Sequence, residues 1–422
     1  MSQRTLSEWL SWQESLHPST IDLGLQRLTH VLGRLQWRQP SCPVVIVGGT
    51  NGKGSCVALL ESILSSGRYR VGTFTSPHLV RYNERIRIAG REISDASLIA
   101  VFERIDAARG DTSLTFFEFN TLAALLAFET AGLDVIVLEV GLGGRLDAVN
   151  VVDADVSLLS SVAIDHCDWL GTDVESIGRE KAGIFRSDRV AIFGSRLIPR
   201  SVESEAARIG ARLQRLGVDF DFAVGGDRWS WRGKGAAYSN LPSPALFGAI
   251  QLENASAVIA ALAALQSRLP LNEDSLKDGL RSVTLAGRFQ SLVRAGHEWI
   301  LDVAHNPAAA ETLASNLAAK ASSGRTLAVC GMFADKDVTG VVATLQRQVD
   351  GWITAGVGGP RALPPAELAE KIIAAGGHVE AVEQSVAAAC ARAASLVQAG
   401  DRIVVFGSFH TFGPAVEWLG RG

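Results

Sequence analysis

A glycine-rich turn carrying one lysine, GGTNGKGS at residues 48–55, follows the apolar run PVVIV and leads into the amphipathic stretch CVALLESILSSG. Strand, glycine-rich turn and helix together make a phosphate site. Gly48, Gly49, Gly52 and Gly54 let backbone N–H groups approach oxyanions, the helix N-terminus adds positive potential, and Lys53 neutralises β/γ-phosphates. Gly49, Thr50, Asn51, Gly52, Lys53, Gly54 and Ser55 are therefore nucleotide candidates, with Ser55 placed to ligate Mg²⁺. The pattern departs from the general G-x-x-x-x-G-K-[ST]: Val47 stands where the first glycine belongs, and Gly54 separates Lys53 from Ser55. A glycine turn serving only the fold would leave the lysine unexplained.

Other residues invite chemistry less sharply. Glu139 closes the apolar run DVIVLEV, where an unpaired buried charge would cost several kcal/mol; it wants a cation, and a metal and a structural arginine are both open. Lys181, beside Glu180 in GREKAGIF, reads by itself as a solvated or salt-bridged lysine. Asp302 and His305 sit three apart after the strand-like ILD, at the strand edge where open α/β sheets bind ligands. Asn306–Pro307 beside them reads as a helix N-cap followed by proline at N1. The aromatic cluster TFFEFN, residues 115–120, heads a helical pattern; Phe117 could stack on a flat heterocycle or simply pack in a core.

These residues need a scaffold, and the chain supplies an α/β one. Of its 422 residues 47% are hydrophobic and 20% charged, which suits a compact protein with sizeable cores. Forty Lys+Arg against 44 Asp+Glu give a net charge of −4, so no basic excess draws nucleic acid or an anionic membrane, and neither is expected as a partner. The five cysteines are odd in number and show no metal or redox spacing, as expected of free thiols in the cytoplasm. The N-terminus lacks a secretory pattern, and apolar runs such as Leu122 to Phe128 fall far short of the ~20 residues of a membrane span.

Continuous Val/Ile/Leu runs predict buried parallel strands at Pro43 to Val47, Arg70 to Thr75, Asp134 to Val140, Asp155 to Val162 and Arg189 to Phe193. A second series, EWILDVAHN, RTLAVCGMF, GWITAGV, GHVEAVE and DRIVVFGSF, alternates with Ala/Leu-rich helical stretches. The expected fold class is α/β: a phosphate-loop ATPase domain with a mostly parallel sheet over residues 1–286, then a smaller doubly wound, Rossmann-like domain over 287–422. The active site is expected in the cleft between them. Segment 194–250, with Trp229, Trp231 and LPSP, reads as a β-excursion or a long loop without an assigned role.

The motifs GTNGKGS (49–55), TSPHLVRYNERIR (75–87), LEVGLGGRLDAVN (138–150), IDHCDWLG (164–171), IGREKAGIFR (177–186), GRFQ (287–290) and LDVAHNP (301–307) occur in order across nearly the whole chain. Together they resemble the folylpolyglutamate synthase/dihydrofolate synthase family, relatives of the Mur ligases. The opening LHPSTIDLGLQR looks like the bifunctional proteobacterial type, which acts on dihydropteroate as well as reduced folates.

The resemblance implies ATP as co-substrate and Mg²⁺, as two ions, held by Ser55, Ser76, Glu139 and His166; K⁺ activation is compatible with it. It implies carbamylation of Lys181, for which the amine must be neutral and its pKa depressed. Asn254, Arg288, Asp302 and His305 become nucleotide contacts, and Lys53, Lys181 and His305 the catalytic candidates. Asp22, Leu23, Thr115, Phe116, Phe117, Glu118, Leu146, Asp147 and Ala148 become pteroate candidates, with Asp22 or Asp147 able to accept pterin N–H groups.

The implied reaction phosphorylates a pteroate or folyl carboxylate and lets the α-amine of L-glutamate displace phosphate from the acyl phosphate, inside domains that close to exclude water. The expected partners are ATP, L-glutamate, 7,8-dihydropteroate and reduced folates, and the expected state is a monomer. Two other readings share the loop: a Mur-type ligase acting on a UDP-sugar peptide, and a non-enzymatic nucleotide switch.

Overall fold

The computed structural model describes residues 4–320, 322–359 and 361–420. The chain divides into two compact units, one of Met1–Ala245 with Leu252–Val283, the other of Leu246–Gln251 with Thr284–Gly422. The division is thus not the single cut expected after residue 286. The second unit starts slightly earlier and also takes in residues 246–251, where the Phe247 ring stacks on Phe289 at 4.7 Å.

The first unit is built on eight strands: β1 (Val44–Gly48), β2 (Val71–Phe74), β3 (Ile86–Ile88), β4 (Arg91–Glu92), β5 (Val135–Glu139), β6 (Val156–Leu159), β7 (Val190–Phe193) and β8 (Arg212–Arg215), in the order β4-β3-β2-β5-β1-β6-β7-β8. From β2 to β8 every pairing is parallel, and β3 and β4 add an antiparallel edge. β1, β5 and β6 are buried throughout, as strands covered on both faces must be. Helix Lys53–Ser66 turns Cys56, Val57, Leu59, Leu60, Ile63 and Leu64 inward, and helix Phe116–Glu129 is buried from Glu118 to Phe128.

The connection from β1 runs past β5 to β2, whereas the one from β5 runs past β1 to β6. That reversal opens a crevice at the carboxyl ends of β5, β1 and β6, where such sheets bind ligands. β6 stops at Leu159, short of the expected Val162, because the serines after it turn into contacts with the glycine-rich loop.

Segment 194–250 holds helix Arg200–Ile209, then β8, then an antiparallel meander of β9 (Asp221–Gly225), β10 (Arg228–Gly233) and β11 (Ala236–Pro242). Trp229 and Trp231 alternate with solvent-facing residues along β10; their indole N–H groups donate to Pro242 O at 2.8 Å and Ser256 O at 3.1 Å. These tryptophans anchor the meander rather than mark a site.

The second unit carries β12 (Gln290–Arg294), β13 (His297–Leu301), β14 (Thr326–Cys330), β15 (Gly351–Ala355), β16 (Val379–Glu383) and β17 (Arg402–Phe406), ordered β12-β13-β17-β14-β15-β16. The five strands β13 to β17 are parallel and β12 pairs antiparallel with β13. Here too the order reverses, beside β17, so its ligand edge lies at the ends of β13, β17 and β14. Among the described residues no helix is long and apolar enough to cross a membrane.

Candidate active site

The glycine-rich loop leaves β1 at Gly48 and enters helix Lys53–Ser66 through Gly52, whose φ of 91° is open to glycine but strained for other residues. Gly49 has φ 134°, and a Cβ there would come within 2.1 Å of Ser160 Oγ. Residues after β6 clamp the loop. Ser160 Oγ donates to Asn51 O at 2.6 Å, Ser161 Oγ donates to Asn51 O at 3.0 Å, and Thr50 N donates to Ser161 O at 2.8 Å. Thr50 Oγ1 donates to Ala163 O and accepts from Ala163 N, at 3.1 and 3.0 Å. Gly52 brings no side-chain cap to the helix, so first-turn N–H groups and the helix dipole face the loop. Asn254 reaches the same turn: a Cβ on Gly52 would lie 2.7 Å from its Oδ1. Sequence reasoning missed Ser160 and Ser161; a serine pair directly after a buried strand was the available signal.

Two lysines converge on this loop. Lys53 Nζ donates to Gly49 O and Thr50 O, both at 3.1 Å, and Lys181 Nζ, from helix Val174–Ala182, donates to Gly49 O at 3.0 Å. Lys181 is 4% exposed. Burial, reinforced by the Lys53 charge and opposed by Asp165, Asp147 and Glu180, pulls its pKa down to about 7. The neutral amine that carbamylation requires is therefore populated near neutral pH.

Glu139, at the end of β5, is 4% exposed, and its Oε2 accepts from Ser76 N at 3.1 Å. Its charge helps burial push the thiol of Cys56 up, which places Glu139 near the first turn of the loop helix, where Ser55 is 1% exposed. Ser55, Ser76 and Glu139 offer the hard oxygen donors that suit Mg²⁺. His166 lies on the loop after β6, with φ 55° and its N–H bonded to Asp165 Oδ1 at 2.8 Å. Among the described residues no three His, Cys, Asp or Glu side chains group tightly enough to hold a metal by themselves. One carboxylate with hydroxyls fits a Mg²⁺ whose other positions fall to phosphate and water.

The pteroate candidates are organised first for local structure. Thr115 and Glu118 form the capping box of helix Phe116–Glu129, and Glu118, 3% exposed, also pairs with Arg27 at 3.1 Å. Arg27 reaches Asp22 as well, at 2.6 Å, and fixes the loop that carries Leu23. Asp147 accepts from Gly141 N, Leu142 N and Val149 N at 3.0, 2.8 and 3.0 Å. Burial outweighs those bonds and raises its pKa to about 7. Ala148 is buried beside it and Leu146 half-buried. Phe117 packs on Gly141, where a Cβ would meet its ring at 2.5 Å, and lies 5.8 Å from Phe74.

In the second unit, Asp302 follows β13; its Oδ2 accepts from Phe289 N at 2.8 Å and its Oδ1 from Ala304 N at 2.7 Å. Burial raises its pKa and Arg288 opposes the rise. Phe409 gathers the neighbours, with the Arg288 guanidinium 5.8 Å and the His305 ring 6.4 Å from its centre. Asn306 caps helix Pro307–Ala319, accepting from Ala309 N at 2.9 Å. Each unit thus collects its candidates at its own carboxyl edge.

Residues 47–211 match the family model of the Mur ligase middle domain, and residues 287–409 that of the Mur ligase glutamate ligase domain. The Escherichia coli (strain K12) dihydrofolate synthase/folylpolyglutamate synthase is 47% identical over 412 residues, 98% of this chain and 95% of that protein. The structure of E. coli FolC in complex with DHPP and ADP superposes with a TM-score of 0.94 at 45% identity, covering 100% of this chain and 99% of the other. A bifunctional folylpolyglutamate synthase/dihydrofolate synthase with Mn, AMPPNP and L-glutamate bound gives 0.91 at 43% identity, covering 99% and 98%.

Proposed function

The chain belongs to the dihydrofolate synthase/folylpolyglutamate synthase family, and from that premise we propose that it is an ATP-dependent ligase of both activities. It adds L-glutamate to 7,8-dihydropteroate, forming dihydrofolate, and to reduced folates, forming folylpolyglutamates. The observation that carries the reading is the loop at 48–55, with two lysines on the Gly49 carbonyl and a buried glutamate beside its helix.

A carboxylate is a poor electrophile, and oxide is not a leaving group. A carboxylate oxygen therefore attacks the γ-phosphorus of ATP, the bond to the bridging oxygen breaks, and ADP leaves. The α-amine of glutamate then attacks the acyl carbon, and phosphate departs with the C–O electron pair. Lys53 and the N-terminus of helix Lys53–Ser66 offset charge on the phosphates before and during transfer. Asn254 and the serine clamp hold the loop in register for that contact. Ser55, Ser76, Glu139 and His166 would hold Mg²⁺, as two ions, which when bound neutralises phosphate oxygens and orients them. Asp22, Leu23, the Thr115–Glu118 turn and the Leu146–Ala148 turn are assigned to the pteroate end. In the second unit Arg288, Asp302 and His305 are assigned to the nucleotide.

The test is ADP release with each substrate omitted in turn. A ligase releases ADP only when ATP, glutamate and dihydropteroate or a reduced folate are all present. Release with a UDP-sugar peptide would support the Mur-type reading, and slow release independent of any acceptor would support a switch.

Carbamylation of Lys181 carries a pH dependence of definite sign. With its pKa at about 7, the amine is mostly protonated at pH 6 and mostly neutral at pH 8, and only the neutral form adds CO₂. Enzyme kept in CO₂-free buffer should lose most of its activity and regain it when CO₂ is restored, faster at pH 8 than at pH 6 when the dissolved CO₂ is held equal. Lys181→Ala should fall ~100-fold, in the range of lost general catalytic groups, and show no bicarbonate response. Equal activity with and without CO₂ would remove the carbamate from the mechanism.

A further inference from the structure

Arg85 closes the short turn Tyr82–Arg85 and is 7% exposed. Its guanidinium remains charged, so burial at this depth calls for partners that accept hydrogen bonds or carry negative charge. Among the described residues it makes one side-chain hydrogen bond, from Nε to His78 Nδ1 at 2.8 Å, and no ion pair. The two terminal nitrogens are not among the sealed, unpartnered atoms of the core, so they reach open space.

The surroundings fix where that space lies. The guanidinium carbon stands 5.5 Å from the centre of the Phe116 ring and 5.8 Å from that of Tyr82, which orients a planar cation. Arg85 O accepts from Thr75 N at 2.9 Å, and the next residue, Ser76, donates its N–H to Glu139 at 3.1 Å. Glu84, the neighbouring carboxylate, is occupied by the N–H groups of Leu79, Val80 and Arg81 at 2.7, 2.9 and 2.6 Å. Burial pushes the guanidinium below its ordinary value, with Tyr82, Glu139 and Glu84 opposing at longer range. A rigid, two-pronged donor thus lies between the Ser76–Glu139 contact and the aromatic start of helix Phe116–Glu129.

We infer that Arg85 binds the carboxylate of dihydropteroate, the group to be activated, through its two terminal nitrogens. The inference rests on the function proposed above. A carboxylate suits the planar fork better than a phosphate oxyanion here, because the loop at 48–55 is already assigned to phosphates and Phe116 is itself among the residues assigned to pteroate. The fork takes one lone pair on each carboxylate oxygen, and each oxygen keeps another with which to reach the γ-phosphorus. In the transfer the new P–O bond forms at one of these oxygens, the bond to ADP breaks with its electron pair leaving on ADP, and Arg85 moves no proton.

The experiment compares 7,8-dihydropteroate with its carboxamide by calorimetry, with ADP saturating. Wild-type protein should prefer the carboxylate by ~30-fold or more, the scale of a lost partner in a buried charge pair. In Arg85→Gln that preference should collapse to within ~3-fold through loss of carboxylate affinity alone, with carboxamide and ADP affinities unchanged. A preference kept in the variant overturns the inference, as does an equal loss for both compounds, which would mean the side chain only packs. If Arg85→Gln does not fold, Arg85→Lys answers instead: its single ammonium should lower the preference at least ~5-fold, and an undiminished preference overturns the proposal. Wild-type protein that binds neither compound overturns the proposed function itself, and the inference with it.

Discussion

Lys53→Ala should lose about three orders of magnitude in kcat for glutamate-dependent ADP release, the scale expected when a preorganised charge at a transferring phosphoryl group is removed. The side chain's hydrogen bonds to the loop carbonyls of Gly49 and Thr50 are worth about 1–3 kcal/mol together. Lys181 still donates to Gly49 O in the variant, and the serine clamp is untouched. The melting transition should therefore stay cooperative while turnover disappears. A second consequence follows from the shared carbonyl. Because the Lys53 charge helps to depress Lys181, its removal should move the Lys181 titration upward and slow bicarbonate reactivation at neutral pH. Near-normal turnover in Lys53→Ala would refute the phosphate role of the loop.

Glu139→Gln should raise the divalent metal concentration at half-maximal rate by more than ~10-fold and lower kcat by ~100-fold at saturating metal, as expected for loss of an anionic ligand that neutralises and orients phosphate. The amide keeps an oxygen to accept from Ser76 N, so stability should change by no more than about 1 kcal/mol. Glu139→Ala is the harsher change, leaving that N–H without its acceptor and Arg85 with one fewer negative charge nearby, and it should lower the melting temperature as well. Titrating Mg²⁺ and Mn²⁺ against each variant separates metal binding from folding. An unchanged metal response in Glu139→Gln would take the residue out of the metal site.

Much of this protein could be read from its residues alone. The glycine turn, the alternation of buried strands with amphipathic helices and the order of the motifs are local features, and local features survive in one dimension because backbone propensity and burial period act over a few neighbours. The Thr115–Glu118 capping box and the Asn306–Pro307 helix start are likewise settled within four residues. The small antiparallel strands β3 and β4 and the edge strand β12 were not legible, since short, half-exposed strands carry little pattern. Residues 246–251 join the second unit through packing that no composition shift announces.

Tertiary structure alone decided which groups share a charge environment. Lys181 reads as an ordinary lysine until the fold buries it on a carbonyl 132 residues away, beside Lys53. Ser160 and Ser161 acquire meaning only when parallel pairing of β1 with β6 sets them against the loop. Arg85 becomes conspicuous only once its acceptors are counted in three dimensions. Coulomb and desolvation energies depend on distance and burial, neither of which sequence spacing records, so the residues name the chemistry and the fold sets which of them are charged, neutral or still in want of a partner.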